Sequence, residues 1–356
     1  MAANLNNNVI INILKTAGAV ARAEFGLICY GSNDVVFATG VHKVYESIAA
    51  ARADTELAAS TQAAAAAEAF FAQPLHPPRF MVCEVDDEAG GGELEDSLDA
   101  AFAAQPFYCL CLQSRAILQI VTADTWVASA YVQQFAQSSD AAFLAGTPGA
   151  TNVGDAVNTA ATNRTMVLYH ATDTEELTVA LAAAFFVVDP DVGTTTLARQ
   201  TATGTYTAND ITDTEKANIL GVNGNVYLPE LGNDIIFPGT MGGGDFCDQT
   251  LSADWFSARA KERIVQDLQD KAALKTKVPY TQQGMQDLAA NVVSVQDQGE
   301  RVSVGHFVPD SSTLTVPKLE DISSAVRASR AYTFAASSIL ANGIQTVTVN
   351  ITVLDA

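Results

Sequence analysis

The sequence lacks long apolar runs. Although 48% of its 356 residues are hydrophobic, nowhere do 18 apolar residues stand together. A membrane-spanning helix needs about 20 such residues, so we expect no membrane insertion. The first eight residues, MAANLNNN, also lack the basic and then apolar order of a secretory signal. We therefore expect a protein that is made and used in a cytoplasm. Its 356 residues are too many for one ordinary core and favour two domains.

Motifs of catalysis and cofactor binding are missing too. The sequence has no GxGxxG after its first predicted strand, no GxxxxGK[ST] and no GxSxG. None of the four histidines has a second histidine or a carboxylate at metal-ligand spacing, and a functional histidine needs an orienting partner. They are His42, His76, His170 and His306. We predict a protein that is not an enzyme and has no catalytic residue, cofactor or metal. An α/β enzyme with an unfamiliar site stays as the alternative.

Cysteine is sparse and unpatterned. The five cysteines are an odd number, and no CxxC occurs. Cys109 and Cys111 stand two apart in a predicted strand, so they share one face, which is poor spacing for zinc. Buried free thiols in a reducing compartment fit this usage.

Positive charge is scarce: 19 Lys and Arg against 40 Asp and Glu give a net charge of −21. Such an acidic surface repels nucleic acid and anionic lipid, so we expect neither as a partner. The basic residues are concentrated at Arg259, Lys261, Arg263 and Lys271, followed by Lys275 and Lys277. Either this is an ordinary solvated face, or it is a positive patch that contacts something negative.

Regular alternation of strand and helix patterns is present. Predicted strands at Arg79–Val85, Phe107–Leu112, Ala141–Ala145 and Thr165–His170 alternate with helices. The helices are expected at 45–71, around Leu94–Phe102, near Thr122–Phe135, near Gly154–Thr162, and after a capping box formed by Thr172 and Glu175. This order predicts a mostly parallel sheet with helices on its faces.

The second half has a different pattern. Residues 189–213 predict a linker or an extended excursion, because Thr, Gly, Asp and Ala replace large apolar residues. Helices are expected from near Ser252 and over Gln282–Val293, and strands near Arg301–Val308 and Leu314–Val316.

Both termini read as strands. Val347, Val349, Ile351 and Val353 alternate with polar residues near the end, and Asn8–Leu14 reads NVIINIL near the start. So apolar a strand must pair, either within its own sheet or with a neighbouring chain.

The glycine-rich turn GTMGGGD at 239–245 allows two interpretations. Its backbone N–H groups could cradle an anion, but no basic residue lies within ten positions. We favour a conformational role, because glycine permits positive φ and close packing.

Several motifs resemble contractile bacteriophage tail sheath proteins. They include AEAFFAQPLHPPRFMVCEV at 67–85 and NVYLPELGNDIIFPG at 225–239, followed by Met241, Gly244, Phe246 and Asp248. Asp254-Trp255-Phe256 and the run KVPYT at 277–281 come next, in the same order as in that family. The resemblance spans residues 8–354. Between about 86 and 220 it lies only in the alternation of strands and helices.

The resemblance implies an α/β and α+β fold in which an α/β sheet domain precedes a second mixed domain. It implies an N-terminal arm at 1–20, an outer α/β domain at 21–200, an inner, tube-facing domain at 201–342 and a C-terminal arm at 343–356. The arms would form inter-subunit strands through Val9, Ile11, Ile13, Val347, Val349, Ile351 and Val353. Arg259, Lys261, Arg263 and Lys271 would face the tail tube.

The function so implied is that of a structural sheath subunit. Copies would polymerise as stacked rings around the tail tube, and contraction would drive the tube through the host envelope. The expected partners are the chain itself, the tail tube protein, and baseplate and tail terminator proteins. The expected location is the virion tail, after assembly in the host cytoplasm. Another self-assembling virion or surface-layer subunit is the second alternative.

Overall fold

The computed structural model describes residues 24–58, 61–86, 93–149, 151–343 and 345. Over these residues the chain forms two compact units. The sheet unit contains Leu27–Val187, Thr195–Cys247 and residues 342, 343 and 345, apart from the positions just excluded. The helical unit contains residues 24–26, Val188–Thr194 and Asp248–Ala341.

The sheet unit is built on eight strands, ordered β2-β3-β1-β4-β5-β6-β7-β8. The two edge strands, β2 and β8, pair antiparallel, and the other pairings are parallel. The strands are β1 Ile28–Ser32, β2 His42–Tyr45, β3 Phe80–Glu84, β4 Cys109–Leu112, β5 Gln133–Ser138, β6 Thr165–Tyr169, β7 Asn225–Glu230 and β8 Asn233–Phe237. The predicted parallel-rich sheet is confirmed.

Helices surround this sheet, as strands buried on both faces require. They are α1 Ile48–Ala53, α2 Thr55–Ala58, α3 Thr61–Phe71, α4 Glu93–Ala104, α5 Ile117–Ala130, α6 Ala141–Ala145, α7 Val153–Ala160, α8 Leu177–Phe186 and α9 Asp213–Gly221. Leu94, Leu98 and Ala101 of α4 enter the core, as the apolar spacing predicts. All five cysteines are free and buried, which confirms that prediction.

Two predicted elements around residue 135 are wrong. Residues 133–135, the end of the predicted helix, belong to strand β5, and the predicted strand Ala141–Ala145 is helix α6. Strand β5 reads QQFAQS and is entirely buried, so polar residues hide its strand pattern. Asp140 begins α6, because its side chain accepts a hydrogen bond from the Ala142 N–H.

The predicted capping box at Thr172 and Glu175 is also wrong. Helix α8 begins later, at Leu177, and Glu176 precedes it without a side-chain cap. The Glu175 carboxylate instead accepts hydrogen bonds from Thr207 and contacts His170. A complete capping box does occur at Thr212 and Glu215, at the start of α9. The tertiary contacts of Glu175 therefore outweigh the local capping-box pattern.

Strands β7 and β8 place the division between the two units later in the chain than the sequence predicts. The sequence predicts a boundary near residue 200, but β7 pairs with β6 and both strands belong to the large sheet. The two units therefore meet along the chain after Cys247. Residues 189–212 form no regular element, as predicted, yet 188–194 belong to the helical unit.

The helical unit is dominated by α10 Cys247–Ala273, which starts at the last residue of the sheet unit, and α11 Gln282–Gly299. The elements that follow are β9 Thr313–Thr315, a short 3₁₀ turn at Leu319–Asp321, α12 Ser324–Ala328 and β10 Ala335–Ser337. The predicted strand at Arg301–Val308 is wrong: the segment turns back on α11 through bonds to the Gly299 carbonyl. The predicted terminal strands fall outside the described residues.

Among the described residues, no helix has the length and apolar character needed to cross a bilayer. Over the same ranges, no three His, Cys, Asp or Glu side chains are grouped so that they could hold a metal ion.

Candidate assembly surface

The four basic residues predicted to face a tube all lie on α10, but in different surroundings. Lys261 and Arg263 are exposed, and Lys271 is partly exposed and pairs with Asp267 at 2.8 Å. The Arg263 guanidinium reaches Gln298 of α11 at 3.2 Å. Arg259 is buried, with 7% of its surface exposed. An outward contact of α10 is therefore available to three of the four residues.

Arg259 is fully engaged within the chain. Its Nε and Nη2 atoms donate to the two carboxylate oxygens of Asp191 at 2.8 and 2.9 Å, a bidentate pair. Its Nη1 atom donates to Glu262 at 2.8 Å, and Phe25 stacks on the guanidinium at 5.3 Å. The two carboxylates compensate its charge, and they hold its pKa above the usual value against the effect of burial.

Trp255 lies one turn before Arg259 and shares its partner. The indole Nε1–H donates to Asp191 Oδ1 at 2.9 Å. The ring is fully buried and stacks on His306, with centroids 4.1 Å apart. The motif Asp254-Trp255-Phe256 therefore supplies the centre of the helical unit's core, and Phe256 packs edge-on against Phe307.

His306 is neutral, because burial lowers its pKa to about 4. Its Nε2 lies 2.7 Å from the Pro190 carbonyl, which can only accept, so Nε2 carries the proton. Nδ1 then accepts from the Ser252 hydroxyl at 2.8 Å. Both ring nitrogens of His306 are thus engaged within the helical unit, which is a structural arrangement.

Strands β9 and β10 form a two-stranded antiparallel sheet in the helical unit. The Gln296 side chain of α11 donates to carbonyls of both, Thr313 at 3.2 Å and Ser337 at 3.0 Å. No other described strand pairs with either outer edge. An isolated two-stranded sheet is marginally stable in water. The structure thus presents two strand edges that can accept further strands. The strand sequences TLT and AAS are too short for the pairing of β9 with β10, and its unpaired edges, to be predicted.

The turn GTMGGGD packs against the sheet unit and confirms the conformational interpretation. A Cβ on Gly242 would lie 2.4 Å from Val157, and one on Gly243 would lie 2.1 Å from Asn163. The buried Asn225 amide, at the start of β7, accepts from the N–H groups of Gly239 and Thr240. These N–H groups therefore donate hydrogen bonds within the protein itself.

A cluster of largely buried polar groups lies near β1 and β4, and such groups could serve an enzyme: Tyr30 in the middle of β1, Arg115 after β4 and Glu176 before α8. Tyr30 and Arg115 donate to the two oxygens of Glu176 at 2.8 and 2.7 Å. Burial raises the pKa of Glu176, although Arg115 opposes the rise. Both carboxylate oxygens are engaged, so this cluster is explained as internal support for the start of α8.

None of the protein-family models and none of the curated proteins compared with the chain matches it in sequence. Solved structures do match. A chain of the anti-feeding prophage baseplate has a TM-score of 0.66 at 12% identity, over 96% of this chain and 98% of that one. A chain of the anti-feeding prophage helical sheath in its contracted state has a TM-score of 0.65 at 10% identity, over 96% and 98%. A sheath tail protein of Listeria innocua has a TM-score of 0.55 at 6% identity, over 91% and 97%.

The chain has the fold of contractile-tail sheath proteins. The resemblance drawn from its motifs is thereby confirmed at the level of the fold, and the motifs have structural roles. Besides Trp255, Thr281 of KVPYT begins α11 by accepting from the Gly284 N–H at 3.2 Å. A Cβ on Gly284 would lie 2.1 Å from the Pro279 carbonyl oxygen, so only glycine fits there.

Proposed function

We propose that the protein is the structural subunit of a contractile sheath, and not an enzyme. The observation that carries this proposal is the match of nearly the whole chain to a subunit of a contracted helical sheath. Copies form stacked rings around a tail tube, and their rearrangement drives the tube through a host envelope. The particle is a phage-type tail assembled in the host cytoplasm, and baseplate and terminator proteins bind the two ends of the polymer.

Strand exchange holds neighbouring copies together in this proposal. Among the described residues the outer edges of β9 and β10 have no partner strand, which supports it, because such edges are ready acceptors for an added strand. The donors are the arms at 1–20 and 343–356, through Val9, Ile11, Ile13, Val347, Val349, Ile351 and Val353. Backbone hydrogen bonds of an exchanged strand survive while the rigid parts rotate.

The helical unit is the tube-facing part, and α10 presents the contact. Lys261 and Arg263 carry its exposed positive charge, and Lys271 is partly exposed beside Asp267, whereas Arg259 is held by Asp191 and Glu262. Each exposed contact is weak, about 1 kcal/mol or less. Summed over many copies, these contacts hold the sheath firmly to the tube, and they can be released together in one cooperative step.

Electron microscopy of the purified full-length chain tests the proposal. We expect hollow tubes of constant diameter, and a chain truncated after Gly343 should fold but stay unpolymerised. Val349→Asp should also prevent tubes, because it places a charge on the apolar face of the exchanged strand. Thr348→Asp, one residue earlier on the polar face, is the matched control and should polymerise. Normal tubes from the truncated chain would refute strand exchange.

A further inference from the structure

Seven residues, Val188–Thr194, leave the sheet unit, join the helical unit and return. The sheet unit resumes at both ends, at Val187 and at Thr195. We call this segment the strap. We infer that the strap is a latch that makes the two units unfold together. This inference concerns the chain itself and does not depend on assembly.

The strap is held by side chains from both long helices. Asp191 receives two bonds from Arg259 and one from Trp255, all on α10. Its backbone carbonyl accepts from Gln298 of α11 at 3.3 Å. The carboxylate is largely buried, so its charge is compensated by Arg259 and not by water.

The neighbouring residues of the strap are fixed as well. The Pro190 carbonyl accepts the His306 Nε2–H, and the Thr194 hydroxyl donates to the Gly305 carbonyl at 3.4 Å. Inside the strap, the N–H groups of Val192 and Gly193 both donate to the Asp189 carbonyl. Bonds thus reach the strap from α10, α11 and the turn after α11.

The chain connects both ends of the strap to the sheet unit, so these contacts couple the unfolding of the two units. When the sheet unit unfolds, the anchored ends of the strap become flexible, and the strap can no longer be held in register against Arg259 and Trp255. When the helical unit unfolds, the strap is released and α8, which ends at Phe186, loses a fixed continuation. Each unit is therefore stabilised by the folded state of the other through one short segment.

The chain carries a separate natural reporter for each unit. All five cysteines are buried in the sheet unit, so their reaction with a thiol reagent reports its opening. Trp255 lies in the helical unit and Trp126 in the sheet unit. In a Trp126→Phe background, fluorescence therefore reports the helical unit alone.

The test compares the two signals across a urea titration of the full-length Trp126→Phe chain. We expect coincident midpoints in this parent. Asp191→Asn keeps the shape of the residue but removes the charge that Arg259 needs. We expect it to lower the Trp255 midpoint below the thiol midpoint by about 1 M urea. Coincident midpoints in Asp191→Asn, or separate midpoints in the parent, would overturn the inference.

Asp267→Asn is the matched control. It makes the same change from Asp to Asn, at a position on α10, but breaks only the partly exposed pair with Lys271, so the midpoints should stay coincident. If they separate there too, loss of an ion pair on α10 is sufficient and the strap is not the cause. If Asp191→Asn does not fold, Gln298→Ala decides the question. It removes one bond to the strap and should give a smaller separation of the same sign, and coincident midpoints in it would overturn the inference.

Discussion

The two units differ most in charge. Their described residues include 7 Lys and Arg against 23 Asp and Glu in the sheet unit, a net charge of −16. In the helical unit the numbers are 10 against 14, a net charge of −4. Like charges on neighbouring copies repel, so close contact between sheet units is disfavoured at low salt. If copies polymerise as proposed, the nearly balanced helical unit is the better surface for firm contacts between them.

The units also differ in how complete they are. The sheet unit has eight paired strands, with the antiparallel strands β2 and β8 at its two edges, and it packs two apolar clusters. The helical unit has a smaller core around Trp255 and, in the described residues, a two-stranded sheet with two unpaired edges. On the proposed strand exchange, the small sheet of the helical unit is the part that neighbouring copies complete.

The largest effect should come from Trp255→Ala. It removes the ring that stacks on His306 and leaves Asp191 with one donor fewer. We expect the free energy of unfolding to fall by about 3–5 kcal/mol. Urea denaturation of the monomer measures this change. Leu231→Ala, at a position 99% exposed in the sheet unit, should change it by less than about 0.5 kcal/mol. Equal effects would show that Trp255 is not the centre of the core.

The pH response of the helical unit should contain two opposing parts. Burial lowers the pKa of His306 from 6.5 to about 4, so its contribution to stability is present above pH 6.5 and is lost as pH falls through 4. Burial raises the pKa of Asp248 from 3.8 to about 6, so its contribution is present below pH 3.8 and is lost as pH rises through 6. Each part amounts to about 3 kcal/mol, and they nearly cancel between pH 4 and 6.5.

Asp248→Asn should remove this cancellation. Between pH 7 and pH 4 we expect its free energy of unfolding to fall by about 3 kcal/mol more than that of the unchanged chain. Denaturation curves at both pH values provide the measurement. His306→Gln should shift the response in the opposite direction. Parallel pH profiles for all three chains would contradict the assignment.

Gly242→Ala tests the tight turn of the sheet unit. The added Cβ would lie 2.4 Å from a Val157 methyl and 3.2 Å from its backbone. We expect a loss of about 1–3 kcal/mol, because this site cannot relax without moving α7. Gly221→Ala, with nothing within 4 Å of the new methyl, is the control and should be neutral or slightly stabilising. If Gly242→Ala left the free energy of unfolding unchanged, the interpretation of the turn as an anion cradle would be favoured again.

The smallest effect on folding should come from reversing the exposed charges of α10. Lys261→Glu combined with Arg263→Glu should change the free energy of unfolding by less than about 1 kcal/mol. It should nevertheless weaken attachment of the polymer to its tube in low salt, an effect that fades as salt screens the charges. Co-sedimentation of polymer and tube at several salt concentrations measures it.

Arg327→Glu with Arg330→Glu makes the same change in charge at exposed positions elsewhere in the helical unit. Attachment should be retained in this control. If both pairs act alike, the charge of the unit as a whole and not the α10 face determines attachment.

Apolar strands were predictable from the sequence because their residues alternate or run together. Strands β3, β4 and β6 are found within a residue or two of their predicted limits. Strand β5 was missed because Gln133, Gln134 and Gln137 are buried by tertiary hydrogen bonds, which leave no periodic signal.

The surroundings of the basic residues on α10, the candidate assembly surface, could not be predicted from the sequence. Arg259 and Arg263 stand one turn apart on α10 and look equivalent in the sequence. The strap covers Arg259 alone, and it comes from an irregular segment almost 70 residues earlier in the chain. A pairing of this kind leaves no trace in local composition, so burial could not be assigned before the fold was known.

The unpaired edges of β9 and β10 have a consequence for stoichiometry. On the proposed exchange, each copy brings the two outer edges of its β9–β10 sheet as acceptors and two arms as donors, so the donors and acceptors of this sheet are equal in number. A growing filament then saturates every edge except those in its first and last rings. On this proposal the subunit itself does not set the length, and a protein that stops growth would bind at one of the two ends, where unmatched strands are found.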